Sequence, residues 1–231
     1  MTHIKRTEVG VLLLVCFLCF AYPNAAKAGP VTSTAALTAG MASYYLNTFT
    51  TLTDGVPLAG AQSFSGVTVG TGPFSYNATT SGTGGLWGIG TTGSPSFLST
   101  FDPGATLTIT FTSGNVTAIG GNFFNTNIDG FELTDTITVL LSGVSGGSVT
   151  LPASGDTPAD FWGFLSTPGV FITGLTITPP VGNDDDFAAF TNFYAGAVPT
   201  GGTSGTPEPA TFGLLAAGIA AGLLGKRLSR G

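Results

Sequence analysis

Apolar and polar residues alternate at period two along most of the chain. Thr106–Ser113, reading TLTITFTS, places Leu107, Ile109 and Phe111 on one face and threonines on the other. Asp135–Leu141 does the same with Ile137, Val139 and Leu141, and Val170–Pro179 and Phe187–Tyr194 follow. This period marks a strand with one face in a core. Further strands are expected over Tyr45–Leu52, Gln62–Val69, Phe74–Thr80, Val116–Phe124, Ser148–Leu151 and Phe161–Ser166. The breaks are clusters of Gly, Pro, Asn and Asp, which supply the backbone conformations that turns need. No uninterrupted 3.6-residue pattern of useful length occurs between residues 53 and 206. About nine to eleven short strands predict an all-β fold, an antiparallel β-sandwich that is jelly-roll-like. It is expected over residues 29–194. Threonine faces opposite apolar faces predict one wet side to each sheet.

The two ends break the pattern. Residues 1–28 carry Lys5 and Arg6, an apolar stretch from Val9 to Phe20, and the small-x-small triplet Ala26-Lys27-Ala28. That order reads as a secretory signal peptide, with Ala26 and Ala28 as the cleavage-site residues. Both cysteines, Cys16 and Cys19, lie inside it, so no disulfide is expected in the mature chain. Residues 195–206, AGAVPTGGTSGT, read as a flexible linker. Beyond it, in residues 207–231, Pro207-Glu208-Pro209 leads into an apolar run from Ala210 to Gly225, followed by Lys226, Arg227 and Arg230. As a helix the run would rise about 24 Å, short of a ~30 Å hydrocarbon core but within reach of snorkelling ends. Gly218 and Gly222 would allow close helix contact there. Lys226, Arg227 and Arg230 then form a membrane stop that keeps the C-terminus cytoplasmic. A C-terminal transmembrane helix and an exported domain are the expectation.

Composition supports a folded domain: 42% hydrophobic and 11% aromatic residues outweigh the 36 glycines. Charge placement changes the picture more. The chain has a net charge of −6, yet all six basic residues lie in the two ends: Lys5, Arg6, Lys27, Lys226, Arg227 and Arg230. Between Gly29 and Thr206 there is no Lys, Arg, His or Cys. The acids there are Asp54, Asp102, Asp129, Glu132, Asp135, Asp156, Asp160, Asp184, Asp185 and Asp186, which leave the domain at about −10. A domain without cations cannot neutralise phosphates, which excludes nucleic acid as a partner. Without His or Cys it cannot build a zinc or copper site. Ser-His-Asp, Cys-His and Ser-Lys nucleophile systems lack their base for the same reason.

Two motifs fall to this argument. Gly143–Gly147, GVSGG, fits the G-x-S-x-G elbow, but Ser145 has no His to activate it, and the segment reads as a turn. Gly88–Gly93, GIGTTG, fits a dinucleotide-binding pattern but lacks a leading strand run and a following helix.

Carboxylates, amides, hydroxyls and aromatics remain, a set suited to calcium, to sugars or to carboxylate-pair hydrolysis. In NTNIDG, Asn125, Asn127 and Asp129 place side-chain oxygens at alternate positions before Gly130, which fits either a Ca2+ loop or a plain turn. Thr136 stands where the closing Glu of an EF-hand would be. Asp184, Asp185 and Asp186 repel one another, and either a Ca2+ ion or an exposed, solvated loop relieves this. Asp160 beside Phe161 and Trp162 fits an aromatic carbohydrate platform or a core strand. A glycosidase pair would come from Asp129, Glu132, Asp156 and Asp160.

The tail PEPATFGLLAAGIAAGLLGKRLSR resembles the PEP-CTERM sorting signal of Gram-negative bacteria in motif, order and terminal position. The resemblance implies that Pro207, Glu208 and Pro209 are recognised by an exosortase, a membrane protease. The segment after them would be a transient anchor in the inner membrane. It also implies a link to extracellular polysaccharide and the cell surface. LTITFTSGNVTAIGGNFFNTNIDG, FWGFLSTPGVFITGLTI and FAAFTNFYAG resemble the β-rich domain of many such proteins. Members of that group often carry a D-N-F-like triplet in the last strand; this chain has Thr191-Asn192-Phe193. The expectation is a non-enzymatic cell-surface or extracellular-matrix protein, processed at its tail. A calcium-assisted carbohydrate-binding module and a carboxylate-dependent glycosidase are the alternatives.

Overall fold

The computed structural model describes residues 28–89, 96–145, 147–151, 161–180 and 185–200. The elements run β1 (Gly29–Val31), helix α1 (Thr34–Ala39), β2 (Ser43–Asn47), β3 (Val56–Leu58), β4 (Gln62–Gly66), β5 (Phe74–Thr80), β6 (Leu86–Ile89) and β7 (Phe97–Thr100). They continue with β8 (Leu107–Phe111), β9 (Ala118–Thr126), β10 (Ile137–Ser142), β11 (Ser148–Leu151), β12 (Phe161–Leu165), β13 (Gly174–Thr178) and β14 (Phe187–Ala197). An eight-stranded sheet has the order β1-β12-β9-β14-β7-β6-β3, with β2 also on β14; a six-stranded sheet has the order β11-β10-β13-β8-β5-β4.

Every strand pairing is antiparallel, and the last eight strands set the topology. β7 pairs with β14, β8 with β13, β9 with β12 and β10 with β11. Pairs nested in this way form one long hairpin rolled across both sheets, the arrangement of a jelly roll. Each of the ten expected segments overlaps a strand, although Tyr45–Leu52 does so only at Tyr45–Asn47. β1, β3, β6 and β7 are additional. β7, FLST, is buried along its whole length, so it shows no alternation to read.

The core lies between the sheets. Tyr76, Leu107, Ile109, Val139 and Ile177 of the six-stranded sheet meet Leu98, Ile119, Phe123, Phe190 and Phe193 of the other. Phe190 and Phe193 pack edge to face with ring centres 5.2 Å apart, and Tyr76 sits 5.1 Å from Phe193. Tyr76 is fully buried, and its hydroxyl accepts a hydrogen bond from Asn47 Nδ2 at 2.9 Å. Asn47 Oδ1 in turn accepts from the Phe49 amide at 2.9 Å, which holds Phe49 at φ +56°. One polar side chain thus anchors a strained turn to the core.

The expectation of one wet side per sheet holds for the six-stranded sheet, where β8 and β10 alternate buried and open positions. It fails for the eight-stranded sheet, because β9 is buried at every residue. Helix α1 covers one part of its outer face. Gly120 and Gly163 are cross-strand partners, and Leu37 of α1 lies where their side chains would be. Strand glycines here permit a close approach, as strand glycines often do. The helix is one short segment, Thr34–Ala39, capped by Ser33, whose Oγ accepts from the Ala36 amide at 3.2 Å. Its six residues are too few to display a helical period.

β14 runs beyond the expected boundary at residue 194. Residues Phe193–Ala197 pair with β2, and the compact unit closes at Val198, so Ala195, Gly196 and Ala197 belong to the fold and not to a linker. The register of β14 against β9 shifts between Thr191 and Tyr194, and Asn192 adopts φ +47°. Thr191-Asn192-Phe193 is therefore a β-bulge, which lets one strand serve β7 before it and β2 after it.

Candidate functional site

The NTNIDG segment is built as a turn. Asn125 lies near the end of β9, buried, with Nδ2 donating to the Thr136 carbonyl at 3.1 Å. Asn127 Oδ1 accepts from the amides of Asp129 at 3.1 Å and Phe131 at 2.8 Å. This is an Asx-type cap, and it occupies the oxygen a cation would need. Asp129 is exposed, and Gly130 takes the positive φ of +81° that closes the turn. Of the acidic run, Asp185 is exposed, Asp186 is buried and Asp184 lies outside the described residues. Among the described residues, no group of three or more His, Cys, Asp or Glu could hold a metal ion.

The expected carbohydrate platform requires correction. Phe161 and Trp162 are neighbours in β12, so they point to opposite faces of the sheet. Trp162 is only 2% exposed and packs inside the sandwich against Phe123, with ring centres 6.3 Å apart. Phe161 lies on the outer face against Tyr194, at 6.2 Å. The two rings cannot present one surface. Asp156 and Asp160 lie outside the described residues; Glu132 is half-buried and forms an isolated bridge with Thr126.

Gly143–Gly147 joins β10 to β11, the turn that was expected. Gly88 belongs to β6, so a strand does lead into GIGTTG, contrary to expectation; the element after it is the strand β7. A dinucleotide site needs a helix there. The sorting residues Pro207, Glu208 and Pro209, the basic Lys226, Arg227 and Arg230, and Ala26 lie outside the described residues. Ala28 directly precedes β1.

A cleft that the sequence did not point to opens on the outer face of the eight-stranded sheet. Along β6, Leu86 enters the sandwich and Trp87 and Ile89 face outward. Trp87 is registered with Ser99 of β7, two residues before Phe101. Such diagonal neighbours are within reach of aromatic side chains. Trp87 and Phe101 stack with centres 4.8 Å apart and planes at 11°. Together with Ile89, Thr126, Ile128 and Phe187 they line a cavity of about 50 Å³.

The rim of this cleft is open and apolar. Phe101 is 37% exposed, and Ile128 is 69% exposed on the turn capped by Asn127. Thr126, one of the lining residues, carries a buried Oγ1 that has no hydrogen-bond partner among the described residues. Among the described residues, none that is charged lines the cavity. The missed signal was two aromatics, Trp87 and Phe101, in Gly- and Pro-rich stretches. Only the β6–β7 register brings them together.

Residues 206–230 match the family model of the PEP-CTERM protein-sorting motif. No curated protein and no solved structure matches the chain. The C-terminus therefore carries a PEP-CTERM sorting motif, which implies export and exosortase-dependent sorting to the surface or exterior. Among the described residues no helix is long and apolar enough to cross a membrane.

Proposed function

We propose that this chain is a non-enzymatic protein of the cell surface or extracellular matrix, associated with exopolysaccharide. Its jelly roll is the cargo, and its tail is the address. The observation that carries this reading is the sorting motif at residues 206–230. The signal sequence of residues 1–28 would start export. The apolar run Ala210–Gly225 would hold the domain at the inner membrane until an exosortase acts at Pro207-Glu208-Pro209. A non-enzymatic role is supported by the lack of any Lys, His or Cys between Gly29 and Thr206 that could act as base or nucleophile.

Replacing Pro207, Glu208 and Pro209 together by alanine in the native host tests this. The unaltered chain is expected in the surface and medium fractions, and the variant in the membrane fraction. Equal release of both would overturn the assignment.

A further inference from the structure

We propose that the Trp87–Phe101 cleft binds one ring of a neutral sugar polymer. The inference rests on the reading of an exopolysaccharide-associated protein and adds the site and the ligand class. Three features carry it. The first is a stacked aromatic pair at the surface, where Phe101 has one face on Trp87 and remains 37% exposed. A Cβ at Gly84 would collide with the Phe101 ring, so this glycine makes room for that pose. The second is Thr126, a lining residue of the cavity whose buried Oγ1 has no partner among the described residues. A buried polar group without a hydrogen bond is costly, and a ligand hydroxyl that reaches it through the cavity would remove that cost.

A pyranose offers both complements, an apolar C–H face for the ring and hydroxyls at its edge. The third feature is charge. The domain holds about ten carboxylates and no cation between Gly29 and Thr206, a field that repels uronic acids and phosphorylated sugars. None of the described side chains that line the cleft could offset that repulsion. A cavity of about 50 Å³ has room for a few waters, so a hydroxyl or hydroxymethyl arm enters while the ring rests on Phe101. A single ring would bind weakly. A polymer holding many copies of the protein gains through multivalency.

The chain has two tryptophans, Trp87 at the cleft and Trp162 sealed in the core, which makes the test clean. Indole N–H resonances of the full chain are followed by NMR during titration with maltoheptaose, cellohexaose and mannohexaose, and with oligogalacturonate as the anionic counterpart. The Trp87 resonance should shift saturably with at least one neutral oligosaccharide, while Trp162 stays fixed. Phe101→Ala should weaken binding by about tenfold, and Phe101→Tyr should restore it. Thr126→Val should weaken it by about fivefold while leaving the melting temperature unchanged or higher, since it removes an unsatisfied group. If sugars move other resonances and leave Trp87 fixed, this site is refuted and the polysaccharide association stands. If no neutral oligosaccharide moves any resonance, both fall. Equal binding of oligogalacturonate would overturn the charge argument. A Trp87 shift that follows protein concentration without sugar would assign the cleft to self-association instead.

Discussion

Tyr76→Phe probes the polar anchor of the core, and its effect should depend on pH in a way that few domains permit. At neutral pH the variant leaves Asn47 Nδ2 buried without an acceptor, which costs about 1–3 kcal/mol. Burial pushes the Tyr76 hydroxyl well above its ordinary value of 10.0; the hydrogen bond from Asn47 pulls it down, and Tyr45 adds a smaller upward push. The folded state therefore keeps a proton that the unfolded chain releases above about pH 10. Stability from this group is complete below about pH 10 and falls by about 1.4 kcal/mol per pH unit above it, until the folded value is reached. A phenylalanine ring has no proton to lose, so the variant lacks this slope. Burial also raises Tyr45 and Tyr194, and both proteins retain those contributions. No Lys, Cys or Arg occurs between Gly29 and Thr206 to obscure the result. Urea unfolding at about pH 7, 9, 10 and 11 should show a destabilised variant whose deficit shrinks by about 1.4 kcal/mol between about pH 9 and pH 11, most of it over the last step. Parallel pH curves for the two proteins would refute the reasoning.

Other outcomes follow from the same packing. Trp162→Ala should cost about 3–5 kcal/mol in urea unfolding, because it empties a sealed core site, whereas Trp87→Ala on the open face should cost roughly 1–2 kcal/mol. Gly163→Ala should cost about 1–3 kcal/mol, since its Cβ would meet the Ile119 carbonyl oxygen at 2.9 Å and press on Leu37 of α1. Asn127→Ala should destabilise by about 1–3 kcal/mol with or without calcium, because Oδ1 serves two backbone amides. For the same reason, excess calcium or EDTA should leave the melting temperature unchanged; a calcium-dependent rise would restore the metal reading.

The fold was legible wherever one strand face is wet. Thr106–Ser113 and Asp135–Leu141 spell out their sheet because threonines face water opposite Leu107, Ile109, Val139 and Leu141. Legibility ends where both faces are covered. β7 carries no alternation, and β9 hides its outer face under Leu37 and in the cluster that its own Phe124 forms with Ile89 and Phe97. The same limit produced the error at Phe161-Trp162: aromatics beside a carboxylate look like a platform until adjacency in a strand sends one of them inward. An Asx cap and a calcium loop share the same spacing, and at Asn127 the structure builds the cap. The Trp87–Phe101 cleft is a product of the register between β6 and β7, and register is not written in either segment alone.

The delivery of this jelly roll by its tail is tested most directly by intact mass spectrometry of the protein recovered from the surface of its native host. The predicted mass lacks residues 1–28 and the segment beyond the Pro207-Glu208-Pro209 motif. A surface population that retains Ala210–Gly231 in a host with an active exosortase would contradict the account.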